Sequence, residues 1–166
     1  MTPKWIRIFS GLTRQSLEHL ARTTVAAMLS LYLASLFKLP ESYWAAITSL
    51  IVMQSTLGDT LTVSGQRFAG TAMGAAAGAL LSQHFGPSPV AFGAGVFTLG
   101  GICLLLRLGR AASALASVTL ALVVLVARPE SGLALAVHRF VEVSLGIVVA
   151  LVLTFLWPEQ KAGTTK

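Results

Sequence analysis

Phe68-Ala69-Gly70-Thr71-Ala72-Met73-Gly74-Ala75-Ala76-Ala77-Gly78 opens a stretch, residues 68–106, in which no Asp, Glu, Lys or Arg occurs between Arg67 and Arg107. That is roughly twice the ~20 apolar residues a helix needs to cross a hydrocarbon core. The rest of the chain fits the same solvent. Of its 166 residues, 55% are hydrophobic and 11% charged, where a soluble domain carries about 25% charge. An all-α polytopic membrane protein is the expectation, and the few ionic groups become the guide to function.

Breaking the apolar sequence at charges and at Pro/Gly clusters predicts six transmembrane helices, at 20–38, 42–57, 67–85, 88–106, 111–127 and 138–157. The first stops before Leu39-Pro40-Glu41, the second before Leu57-Gly58-Asp59. The third stops before His84-Phe85-Gly86-Pro87-Ser88-Pro89, where two prolines and a glycine force a turn. Trp157-Pro158 closes the last. With the N-terminus cytoplasmic, Lys4, Arg7, Arg14, Arg22, Arg67, Arg107, Arg110, Lys161 and Lys166 lie inside and only Lys38, Arg128 and Arg139 outside. That bias puts both termini in the cytoplasm.

Three regions follow: residues 1–19 as an N-terminal cytoplasmic interfacial segment, 20–157 as the six-helix membrane domain, and 158–166 as a cytoplasmic tail. The first region lacks the long apolar core of a cleavable signal. Its Trp5, Phe9 and Leu12 fall at helical spacing, suiting a membrane surface. Glu18, four residues from both Arg14 and Arg22, reads as part of a solvated face. Within these 166 residues no ATPase or sensor domain is expected. The net charge of +6 is scattered singly instead of forming a basic face, so nucleic acid is not expected. The single cysteine, Cys103, forms no intrachain disulfide, and no metal or cofactor is expected.

An internal repeat joins the third and sixth spans. Arg67-Phe68, Gly74 and Gly78 match Arg139-Phe140, Gly146 and Ala150 at an offset of 72 residues (67 to 139). Three spans separate the copies, so they would run in opposite directions, an inverted 3+3 repeat. Gly70, Gly74 and Gly78 form one stripe, either a helix-packing seam or the wall of a narrow conduit with Thr71 offering a hydroxyl; Gly146 occupies the matching place in the sixth span. Arg67 and Arg139 stand at the starts of their spans, where they either snorkel to headgroups or present successive sites to an anion. Glu142, one turn beyond Arg139, is a carboxylate inside a span. Paired with Arg139 it stays ionised; unpaired it tends to take a proton. Gln54, with Thr48 and Ser49 near it in the second span, is the remaining intramembrane polar group. No zinc-binding histidine pair, phosphate loop or nucleophile with base emerges, which argues against an enzyme.

Leu39-Pro40-Glu41-Ser42-Tyr43-Trp44-Ala45-Ala46-Ile47-Thr48-Ser49-Leu50-Ile51-Val52-Met53-Gln54, followed by Gly58, Thr60 and Arg67-Phe68-Ala69-Gly70-Thr71-Ala72-Met73-Gly74, resembles the fusaric acid resistance family, grouped with the aromatic acid exporters. The Trp-x3-Thr and Arg-x2-Gly-Thr-x2-Gly elements are its most distinctive part, and residues 85–135 fit mainly by hydropathy. The resemblance implies a bacterial inner-membrane domain of six helices moving aromatic or other organic anions outward, an anion path using basic side chains, as in the distantly related plant malate channels. Ser55 stands where many members have Pro, and a soluble domain or second membrane half common in the family is not seen.

The expected protein is thus an organic-anion exporter or channel, with Arg67, Arg139, Glu142, Thr71 and Gln54 along its pathway, membrane lipid around it and a homodimer or higher oligomer as its assembly. The rival is a non-transporting membrane subunit whose glycine stripe and charges bind a partner protein or lipid.

Overall fold

A computed structural model of the chain describes residues 14–54, 57–126 and 131–157. Among them are six helices and no strand: α1 (Arg14–Leu36), α2 (Tyr43–Met53), α3 (Leu57–Phe85), α4 (Pro89–Leu105), α5 (Gly109–Leu125) and α6 (Gly132–Leu156). The expected surface face of Trp5, Phe9 and Leu12 and the expected tail lie outside the described residues. Only α6, among the described helices, is long and apolar enough to cross a membrane by itself.

The helix ends follow local chemistry. Gly86 takes a φ of +59°, open to a residue without Cβ, and Ser88 caps α4 by accepting from the Ala91 N–H at 3.4 Å, with Pro89 next to it in the first turn. Ser131 caps α6 through the Ala134 N–H at 3.3 Å. Both α1 and α4 close with the same paired backbone bonds: Lys38 N–H to Ser35 and Leu39 N–H to Ala34, then Arg107 N–H to Leu104 and Leu108 N–H to Cys103. Lys38 and Arg107 are the left-handed residues in these two turns.

Four expected boundaries move, one of them the start of the sixth helix, which lies at Gly132 instead of 138. The first helix starts at Arg14 instead of at 20. The second ends at Met53, and its 11 residues rise only about 16 Å. The third begins at Leu57, since Gly58 alone does not break a helix whose first turn places Asp59 at the favourable end of its dipole. Arg67 therefore sits about three turns into α3 and Arg139 about two turns into α6.

The helices pack as two trios. In one, α2 lies against α1 and α6; in the other, α5 lies against α4 and α3; α3 and α6 join the trios. Within each trio small residues allow close approach. A methyl at Gly74 would fall on the Ala116 carbonyl oxygen and 2.9 Å from Thr119 Cβ; one at Gly146 would fall on the Ala45 carbonyl oxygen and 2.7 Å from Thr48 Cβ. Gly70 and Gly78 lie against Ala112 and Val123 of α5 in the same way. Ala26, Val52, Met53, Val143, Ile147 and Ala150 form the core of the first trio, and Leu99, Ala116, Leu120 and Val124 that of the second. Where α3 meets α6, Ala75 and Ala79 pack on Leu135 and Ala136, while the Phe68 and Phe140 rings stand 5.0 Å apart. The order of these contacts makes the two helices antiparallel.

Candidate functional site

The chain gathers its rare ionic groups beside that crossing. Arg139 projects from α6 with 2% of its surface exposed, and its Nη2 pairs with Glu41 Oε2. Its Nη1 lies 3.5 Å from Glu142 Oε2, one turn along the same helix. The guanidinium carbon also stands 4.4 Å from the centre of the Trp44 ring, within cation–π range. Glu142, 1% exposed, accepts through Oε1 from the Glu41 backbone N–H at 2.9 Å. One carboxylate thus ties the turn between α1 and α2 to α6, and the guanidinium ties it a second time.

Glu41 is the residue that sequence reasoning missed. Its place in Leu39-Pro40-Glu41 reads as a polar turn, yet 7% of it is exposed. A signal was present in the composition: the chain holds six acidic residues, and a carboxylate within three residues of an apolar span has few places to go.

Arg67, on α3, reaches across to the other trio. Its Nε and Nη2 donate to Thr48 Oγ1 at 3.1 and 3.0 Å, and no carboxylate pairs with it among the described residues. It is 3% exposed. Trp44 and Thr48 are successive turns of α2, about 6 Å apart along its axis, so the two guanidinium groups flank one short piece of helix. Of the two readings of these arginines, free snorkelling to headgroups does not fit their 3% and 2% exposure. Both are enclosed at the helix crossing because their helices start well before them.

The other sequence candidates divide. Thr71 is buried on α3 at 3% exposure, one residue past Gly70. Gln54 is not deep in a span: it is the exposed residue just after α2, which stops at Met53. The four glycines Gly70, Gly74, Gly78 and Gly146 face neighbouring helices at close range. Arg22, expected on a wet face, is 4% exposed and its Nη2 lies 3.5 Å from Thr154 Oγ1, because α1 leans on the end of α6.

Chemically, the cluster can hold a charge in an apolar surround and exchange partners for it. Arg67, Arg139, Glu41 and Glu142 sum to zero, and among the described residues Arg67 donates to a neutral hydroxyl, that of Thr48. A buried guanidinium with a hydroxyl partner is a place where an anion gains a charge-assisted bond.

Comparison with known proteins agrees in kind. Residues 26–153 match the family described as fusaric acid resistance protein-like. The chain is 34% identical over 80 residues to the uncharacterized transporter YdhK of Salmonella typhimurium, an alignment covering 48% of this chain and 11% of that protein. It is 28% identical over 168 aligned positions to the inner membrane protein YeeA of Escherichia coli, covering 96% of this chain and 45% of that protein. The chain spans less than half the length of either relative. No solved structure matches it.

Proposed function

Because this chain belongs to the fusaric acid resistance protein-like family, we propose that it is an inner-membrane transport domain that passes organic anions, aromatic acids among them, as an exporter or channel. The observation that carries this reading is Arg67, a cation 3% exposed at a helix crossing, held by the Thr48 hydroxyl with no carboxylate beside it among the described residues. Such a group is costly in an apolar interior, and an anion in transit offsets that cost. Relatives described as a transporter and as an inner membrane protein support the setting.

Six spans with both termini cytoplasmic are the topology that goes with this function, and the two halves form an inverted repeat. Phe68 and Phe140 support it: they are equivalent positions at the 72-residue offset (68 to 140), and they meet each other across antiparallel helices. Arg139 with its two carboxylates steadies the path, and Glu142 balances charge or carries a proton. Two or more copies would assemble, and the exposed apolar face of α4, including Val90, Phe97 and Leu104, offers lipid or a second copy a surface.

Flux of benzoate in liposomes tests the reading. A charge-assisted contact contributes about 1.5–3 kcal/mol, so Arg67→Gln should slow benzoate movement roughly ten- to hundredfold while the protein remains folded. Absence of anion movement under any gradient, with stable copurification of another protein, would instead favour the non-transporting subunit.

A further inference from the structure

The buried faces of the two trios correspond residue by residue. Ala26, Ser30 and Ala34 of α1 recur as Gly95, Leu99 and Cys103 of α4, at an offset of 69 residues (34 to 103). Ala45, Thr48, Ser49, Val52 and Met53 of α2 recur as Ala116, Thr119, Leu120, Val123 and Val124 of α5, at 71 (48 to 119). Ser64, Arg67, Gly70, Gly74 and Gly78 of α3 recur as Ala136, Arg139, Glu142, Gly146 and Ala150 of α6, all buried, at 72 (67 to 139). The contacts correspond as well: Gly74 on Ala116 and Thr119 is the counterpart of Gly146 on Ala45 and Thr48.

One place breaks the correspondence, and it is the ionic one. Arg139 is matched by Arg67. Its two carboxylates are not matched: the counterpart of Glu142 is Gly70, and that of Glu41, by the α2 to α5 offset (41 to 112), is Ala112. Ala112 is fully buried, and Gly70 lies directly on its carbonyl. Among the described residues, Arg67 therefore finds no counter-ion in its own trio. Its side chain crosses to the other trio, where two of its five N–H donors share the single oxygen of Thr48.

We infer that Arg67 is the vacant copy of a duplicated arginine–carboxylate site, and that one carboxylate of the transported acid fills there the role that Glu41 and Glu142 fill for Arg139. This rests on the anion-transport reading and sharpens it: Arg139 is closed by its own chain and serves as a clamp. The single positive charge of Arg67 calls for a single carboxylate, and the Phe68 and Phe140 rings, next in sequence to the two arginines and 5.0 Å from each other, favour an apolar or aromatic body behind it. Thr48 is the positioning residue, holding the guanidinium until the ligand arrives.

The test gives Arg67 an internal counter-ion. Ala112→Glu places a carboxylate at the counterpart of Glu41, with Ala112→Gln as its uncharged match, and benzoate binding to the detergent-purified full chain is measured by calorimetry. Ala112→Glu should bind benzoate at least tenfold more weakly than Ala112→Gln; equal binding overturns the inference. Should the buried position accept neither side chain, Arg67→Gln against Arg67→Lys decides: Gln should lose at least tenfold relative to Lys, and equal binding overturns it. If the unaltered protein moves benzoate in liposomes while these pairs show no difference, the inference fails and the transport reading stands. If the unaltered protein moves no anion, both fail.

Discussion

Glu142 answers to two partners at once, the Glu41 N–H at 2.9 Å and the Arg139 guanidinium at 3.5 Å. Half of this was legible in the sequence, because residues three apart on a helix share a face and Arg139 precedes Glu142 by that spacing. The other half was not: Glu41 lies far away in the chain, in a turn whose proline and acid read as solvent-exposed. The charges around this residue suggest what it does under the proposed function. Arg139 on its own helix, Glu41 at the head of α2 and Arg67 on α3 balance it to zero, while Lys38 nearby in the chain is exposed. An entering carboxylate leaves one net negative charge in an apolar surround, a state costing several kcal/mol, and a proton on Glu142 removes it. Glu142→Gln, which carries no such proton site, should uncouple benzoate flux in liposomes from an imposed pH gradient. Flux that keeps its pH dependence in this variant would reject the coupling role.

At the scale of the helices, glycine spacing was readable, but which neighbour it served was not. Gly70, Gly74 and Gly78 recur every four residues, so they share one face; only packing shows that this face belongs to α5 and that Gly146 meets α2 in the same manner. A methyl at Gly74 has the backbone of α5 in its way, and overpacking of this kind costs about 1–3 kcal/mol. Gly101, on α4, has nothing within 4 Å of an added Cβ, and alanine there gains up to about 1 kcal/mol from helix propensity alone. Thermal unfolding in detergent should therefore place Gly74→Ala below the unaltered protein and Gly101→Ala level with it or above. The short α2 was the least legible element. No charged residue and no proline falls between Glu41 and Asp59, so no strong breaker marks the stop at Met53.

For the molecule as a whole, the two turns at Lys38 and Arg107 make topology measurable. Each is an exposed left-handed residue after an equivalent helix, with the same pair of backbone bonds beneath it. In an inverted repeat they lie on opposite sides of the membrane. With Cys103 replaced by Ser, a membrane-impermeant maleimide applied to intact cells should label Lys38→Cys and spare Arg107→Cys, while inside-out vesicles give the reverse. Labelling of both from one side would dismantle the inverted arrangement.

What the amino-acid sequence determined by itself was the solvent and the kind of element. A chain with 55% hydrophobic and 11% charged residues in long uncharged runs buries its backbone polar groups within helices, and its spacing of arginine, phenylalanine and glycine set the third helix against the sixth for comparison. Only the tertiary structure decided how the charges are shared. Pairing Arg139 with Glu41 depends on α2 and α6 lying side by side, and sending Arg67 to Thr48 depends on α3 passing within reach of α2. Those are contacts between segments remote along the chain, set by the close approach of helices, and no local pattern encodes them.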